Sequence, residues 1–370
     1  MTAPLRVAVL GAGSVGREVI RALMEHADEL RTADGAPLIL AGVAVRDVAR
    51  AAAGGIPEAL LTDAPAHLIA DPETDVVVEL MGGDEPARML IAAALAAGKP
   101  VVTANKHVIA HHGAELEAIA RRTGAALRFE AAVGGGIPVL GPIAADLAAN
   151  RLDVVQGIVN GTTNFILTAM ANDGRPYADV LADAQVAGYA EADPTGDVEG
   201  HDAVNKLVIL ARLAFGQWLD PASIVIAGVL GGGTPGLPGI TGVTLPDIVA
   251  AREQGLAIKL IAAAVRSADG ISGSVLASAV PLDSPLGRTE GVLNRIEVVG
   301  QPIGRVAFSG PGAGGPATSS AVLADLMTIA RGGGNTWAGL APATGPVFAI
   351  ASPASDLFVG PSGATYPVIG

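Results

Sequence analysis

Cysteine is missing altogether from the 370 residues. That excludes disulfides, thiolate catalysis and cysteine-based zinc sites. Aromatic residues make up only 3%, too few for the stacking platforms that hold single-stranded nucleic acids. Positive charge is short as well: 23 Lys and Arg stand against 36 Asp and Glu, for a net charge of −13. Without a long basic run, neither nucleic acid nor an anionic membrane is an expected partner. No run of roughly 18 uninterrupted apolar residues occurs, so no membrane span is expected. The N-terminus lacks the charged and then apolar segments of a secretory leader. The expected compartment is the cytoplasm.

What is present is a chain that is 50% hydrophobic, with 49 glycines and 25 prolines. Its length suggests two domains, or three, of an Ala/Gly-rich α/β protein. The apolar run Leu5–Leu10 feeds into Gly11-Ala12-Gly13-Ser14-Val15-Gly16, and a helical pattern follows through Val19, Ile20 and Leu23. A GxGxxG between strand and helix is the pattern of a dinucleotide site. Gly11 would make the tight turn, Gly13 would let the backbone approach a pyrophosphate, and Gly16 would let helix and strand pack closely. The helix start, at Ser14 and Val15, offers free N–H groups to phosphate. A second strand, Leu38–Val45, ends in Arg46-Asp47. An acidic residue here suits a ribose 2′-OH and an arginine suits a 2′-phosphate. Strands at Asp75–Glu79, Pro100–Thr103 and Leu127–Phe129 alternate with helices, which implies a doubly wound parallel sheet of Rossmann type. Glu79, Gly82, Thr103, Asn105 and Lys106 should gather at its C-terminal strand ends.

Glu130-Ala-Ala-Val133-Gly134-Gly135-Gly136-Ile137 reads from its residues as a hinge between domains, or as one carboxylate and several carbonyls around a hard cation. Strands over Asp153–Val159, Ile258–Val265, Ser274–Val280, Asn294–Val299 and Arg305–Phe308 then imply a second, α+β domain with a mixed or mainly antiparallel sheet. Thr162 or Thr163 would cap the helix after Asn160. Gly231–Gly239 reads as a flexible connection. The six histidines show no zinc-site spacing, and His26, His107 and His201 read as solvated. Between these features lies a carboxylate-rich stretch, Gly188 to Lys206. Asp193-Pro194 and Thr195-Gly196 read as a turn, and a helix opens at Asp202. Asp202 and Lys206, four apart, share one face of it. Glu191 can fold back toward that face.

The pattern Ala184-x-x-x-Gly188-Tyr189-Ala190-Glu191-x-Asp193-Pro194-x-x-Asp197-Val198-x-Gly200-x-Asp202-x-x-x-Lys206 resembles the signature of the homoserine dehydrogenases. Thr103-Ala104-Asn105-Lys106 and Asn160–Asn164 are similar to that family too, and the resemblance runs from about Leu5 to Arg331. It implies NAD(P)H-dependent reduction of L-aspartate 4-semialdehyde to L-homoserine by a homodimer. Lys206 would give the proton, with Lys106 near it so that the two ammonium groups depress each other's pKa. Glu191 and Asp202 would bind the substrate's ammonium, and Asp202 would also orient Lys206. Lys106 would touch both substrate and cofactor. The cofactor would further meet Thr103, Gly188, Gly312 and Gly314. Arg46 is similar to NADP-using members, so NADP is favoured and NAD remains possible. A structural sodium ion would sit on the Glu130 side chain and the carbonyls of Val133, Gly135 and Ile137. The expected division is a nucleotide domain over 1–136, a substrate and dimerisation domain over 137–309, and a helix over 310–331 returning to the nucleotide domain. A Gly/Pro-rich tail over 332–370 is too short for the family's regulatory ACT domain. The competing expectations are a dehydrogenase of another small amino or hydroxy acid, and a non-catalytic NADP-binding redox sensor.

Overall fold

Strand β1 (Leu5–Leu10) is buried along its last four residues, which is why it reads as an apolar run rather than an alternation. Strands β2 (Leu38–Ala44), β3 (Leu61–Thr62), β4 (Val76–Glu79), β5 (Val101–Thr103) and β6 (Leu127–Arg128) join it. The computed structural model describes residues 3–27, 29–227, 237–337, 339–343, 345–350 and 356–370. All the pairings in this sheet are parallel, in the order β3-β2-β1-β4-β5-β6. The winding reverses between β1 and β4, where such sheets bind ligands. The helix Ser14–Glu25 buries Gly16, Val19, Ile20 and Leu23, and the helix Gly315–Ala330 adds Ala321, Val322 and Leu326 to the same core.

Strand β7 (Arg151–Ile158) opens a second sheet, with β8 (Val225–Ala227), β9 (Leu256–Arg266), β10 (Ile271–Pro281), β11 (Leu293–Gln301) and β12 (Gly304–Pro311). Its order is β12-β11-β7-β9-β10-β8, antiparallel except for the β10–β8 pair. A hairpin of β13 (Leu357–Val359) and β14 (Thr365–Pro367) follows near the C-terminus. The glycine-rich connection expected at Gly231–Gly239 lies mostly outside the described residues.

Contacts divide the chain into two compact units: residues 1–147 with 313–345, and residues 148–312 with 346–370. This differs from the break expected after Gly136. The Glu130 carboxylate accepts the backbone N–H groups of Val139 and Leu140 through Oε1 and of Gly141 through Oε2, at 2.7–2.8 Å. These bonds, with buried Val139, Leu140 and Ile143, keep the segment in the first unit. The segment expected as a tail is also divided. Thr336 Oγ1 accepts the Phe129 N–H in the first unit, whereas Ser362 and Tyr366 donate to buried Asp247 in the second. Among the described residues, no helix is long and apolar enough to cross a membrane.

Candidate active site

The glycine loop closes on β1 with three different demands. Gly11 has φ +105°, and a Cβ there would lie 2.6 Å from the Leu80 carbonyl oxygen. Gly16 approaches Gly11 so closely that a Cβ would lie 2.2 Å from its oxygen. At Gly13 a Cβ would meet nothing within 4 Å. That open position borders a cleft of about 210 Å³ lined by Gly13, Ser14, Val15, Leu80, Gly82, Ala104 and Asn105. The glycines that must pack thus stand apart from the one whose backbone faces open space. This is the arrangement a pyrophosphate at a helix N-terminus requires.

The floor of this loop is held by Glu79 and Thr103, which are fully buried. Glu79 accepts the Met81 N–H at 2.7 Å and the Thr103 hydroxyl at 2.6 Å. Burial pushes its carboxyl above the usual range against those bonds. Thr103 Oγ1 also accepts the Asn105 N–H, so the Thr103 hydroxyl shapes the loop. Asn105 caps the helix Lys106–Thr123 through the Val108 N–H and donates to the Gly83 carbonyl. Lys106, at the first position of that helix, is half-buried. His107, expected in solvent, is half-buried too. Its ring stacks on His111 with centroids 4.3 Å apart, and burial and then the His111 charge lower its pKa.

Beyond β2, Arg46 is exposed, while Asp47 caps the helix Val48–Ala53 by accepting the Arg50 N–H. Gly314 has φ +110° and precedes the helix Gly315–Ala330. A Cβ on Gly315 would lie 2.9 Å from the Ser14 carbonyl oxygen, so this second glycine-rich helix start adjoins the first. Gly312 lies in the second unit, pressed on the side chain of Asn294.

Glu130 has its carboxylate on three amides, as described, and burial raises its pKa. The carbonyls of Val133, Gly135 and Ile137 lie in buried residues and accept no hydrogen bond from the described residues. Among the described residues, no three His, Cys, Asp or Glu side chains gather as a metal site.

In the second unit, Lys206 and Asp202 lie on the helix His201–Phe215. Lys206 Nζ donates to Asp202 Oδ2 at 2.7 Å and to the Val159 carbonyl at 2.6 Å. Both side chains are about nine-tenths buried. The helix opens one residue earlier than expected, after Gly200 at φ +92°. Of the expected turn at 193–196, Thr195 and Gly196 instead open a short helix, Thr195–Val198. Glu191 is exposed on the preceding segment, its backbone carbonyl accepting Gln185 Nε2. Gly188, at φ +75°, sits just past the end of the helix Tyr177–Val186, where a left-handed residue stops a helix. Expected as a cofactor contact, it lies in the second unit.

Asn160 was not among the expected functional residues. It caps the helix Gly161–Asp173 by accepting the Thr163 N–H at 2.9 Å, the position assigned above to Thr162 or Thr163. Its amide nitrogen donates to Asp197 at 2.7 Å and to Asp202 at 2.8 Å. The Thr162 hydroxyl donates to the Tyr189 carbonyl. The available signal was Asn160-Gly161-Thr162 at a strand end, with Asp197 inside the carboxylate-rich stretch.

A sequence profile described as homoserine dehydrogenase matches residues 138–327, and one described as homoserine dehydrogenase, NAD binding domain, matches 11–130. The homoserine dehydrogenase of Corynebacterium glutamicum is 44% identical over 330 residues, covering 88% of this chain and 72% of the relative. The chain belongs to the homoserine dehydrogenase family. The crystal structure of a homoserine dehydrogenase from Thiobacillus denitrificans superposes with a TM-score of 0.81 at 41% identity, covering 89% of this chain and 73% of that one. A hyperthermophilic archaeal homoserine dehydrogenase in complex with NADPH gives 0.70 at 25%, covering 88% and 97%. Homoserine dehydrogenases are NAD(P)-dependent oxidoreductases, and the chain's nucleotide unit is that of an enzyme using a nicotinamide cofactor.

Proposed function

We propose that this chain reduces L-aspartate 4-semialdehyde to L-homoserine, with Lys206 as the proton donor. The observation that carries the assignment of Lys206 is its burial on Asp202 and Val159. When bound, the reduced nicotinamide supplies hydride to the aldehyde carbon. Negative charge then develops on the carbonyl oxygen, and a cation able to release a proton meets it best. The Lys206 ammonium has three N–H donors. Two are held by Asp202 and the Val159 carbonyl, and the third remains for the substrate oxygen. Asp202 orients the amine and, with exposed Glu191, offers negative charge to the substrate's ammonium. Lys106, at its strand end, serves substrate and cofactor.

NADP is the preferred cofactor in this reading. Asp47 already accepts the Arg50 N–H, while Arg46 stands exposed beside it and suits a 2′-phosphate. A sodium ion at the Glu130 loop belongs to the same reading, because the carbonyls of buried Val133, Gly135 and Ile137 accept no hydrogen bond from the described residues and oxygen donors suit a hard cation. No step of the reaction runs through it. A cytoplasmic homodimer completes the reading on the strength of the resemblance.

The test is the initial rate of NADPH oxidation, and then of NADH oxidation, with L-aspartate 4-semialdehyde for the wild type and Lys206→Ala. Turnover that is lost in the variant while cofactor affinity stays intact supports the reading. Cofactor binding without turnover in the wild type would refute it and leave a redox sensor.

A further inference from the structure

The two carboxylates Asp197 and Asp202 reach one point from different elements, the short helix Thr195–Val198 and the helix His201–Phe215. Like charges brought together in a half-buried place repel, and something must hold them. The Lys206 ammonium pairs with Asp202 and the Thr162 hydroxyl donates to Asp197 Oδ2 at 3.3 Å, and one side-chain amide bridges the two carboxylates. Asn160 Nδ2 has two hydrogens, and it lies 2.7 Å from Asp197 Oδ1 and 2.8 Å from Asp202 Oδ2. The Asp202 oxygen it meets is the one that also accepts from Lys206 Nζ. Its other amide atom, Oδ1, faces the opposite way and accepts the Thr163 N–H. Asn160 itself is only 5% exposed, so water cannot readily take its place.

We infer that Asn160 is a positioning residue, which holds Asp197 and Asp202 side by side so that they join Glu191 in accepting the substrate's ammonium, and fixes the Asp202 oxygen that orients Lys206. The inference rests on the reaction assigned above. A plain structural role would use only the capping oxygen. The bridging role uses the amide nitrogen, and substitution separates the two. Serine and aspartate cap helices about as well as asparagine. Neither can give two hydrogens to two carboxylates, and aspartate adds a third negative charge.

The experiment compares wild type, Asn160→Ser and Asn160→Asp by melting temperature, by KM for NADPH, and by kcat and KM for L-aspartate 4-semialdehyde. Asn160→Ser is expected to fold, with a melting temperature somewhat lowered as the two carboxylates lose their bridge, and to keep its KM for NADPH. Its kcat/KM for the semialdehyde should fall about ten- to hundredfold, the loss of a hydrogen bond to a charged group. Asn160→Asp should fall further. Wild-type kinetics in either variant would overturn the inference. So would failure of Asn160→Ser to fold, because the cap is retained and the amide would then serve the fold. Absence of turnover in the wild type would overturn the assigned reaction first and this inference with it.

Discussion

Gly13→Ala and Gly16→Ala should separate cofactor binding from stability, although the two glycines sit three residues apart in one loop. A Cβ on Gly16 would lie 2.2 Å from the Gly11 oxygen, whereas carbon and oxygen rarely come closer than roughly 3.3 Å. Backbone would have to give by about 1 Å in all, shared between the two sides, which as overpacking costs about 1–3 kcal/mol. Gly13 has φ −73° and ψ −163°, extended geometry that alanine adopts freely. Its methyl would meet no protein atom within 4 Å, and at a cap position the change is worth only about 1 kcal/mol or less. That methyl would instead enter the cleft beside Ser14, Gly82 and Asn105, where the backbone must approach a phosphate. The assay pairs urea unfolding with a titration of NADPH followed by its fluorescence. Gly13→Ala should keep its unfolding midpoint and bind NADPH at least about tenfold more weakly, a loss of about 1.4 kcal/mol. Gly16→Ala should lower the midpoint. Wild-type affinity in Gly13→Ala, or wild-type stability in Gly16→Ala, would refute the division of roles.

Arg46→Ala should raise KM for NADPH about tenfold or more, the worth of a hydrogen bond between charged groups, and leave KM for NADH unchanged; equal effects on both would remove Arg46 from the 2′-phosphate. Lys259 bonds Asn164 Oδ1 and the Thr289 carbonyl, and burial pushes its pKa from 10.5 down to about 8. The unfolded chain therefore holds this proton more tightly, so the group's contribution makes stability rise with pH between about 8 and 10.5, by about 3 kcal/mol in all. Lys259→Met should remove that component of the slope in urea unfolding across this window; an unchanged difference between pH 8 and pH 10.5 would show that Lys259 keeps its proton.

The first unit was legible because its signals are local. An apolar run, a glycine loop and a helix stripe lie within Leu5–Leu23, and β4 and β5, with the last four residues of β1, are continuous buried runs. The second sheet was legible as a set of strands but not as an arrangement. Its order sets β7 between β11 and β9, pairing residues more than a hundred positions apart, and no short window carries that information. Three glycines at 134–136 read as a hinge, yet Gly136 is small because a Cβ would lie 2.8 Å from the Ala317 oxygen. Close packing and free rotation call for the same residue. At the carboxylate-rich stretch, spacing four along a helix was enough to pair Asp202 with Lys206. Asn160 escaped because its bonds to Asp197 and Asp202 cross 37 and 42 positions.

The division of the chain also sets an order of assembly. The first unit draws on residues 1–147 and again on 313–345. During synthesis the nucleotide sheet emerges early but without the helix Gly315–Ala330, which packs on Ser14–Glu25 and supplies Val322 and Leu326 to its core. Until then a strip of apolar surface beside the glycine loop stands uncovered, while the 165 residues of 148–312 are still being made. At the pace of roughly 5–20 residues per second, that wait lasts on the order of ten seconds or more. For that interval the uncovered strip is open to aggregation, and the glycine loop, made early, waits for a helix made late.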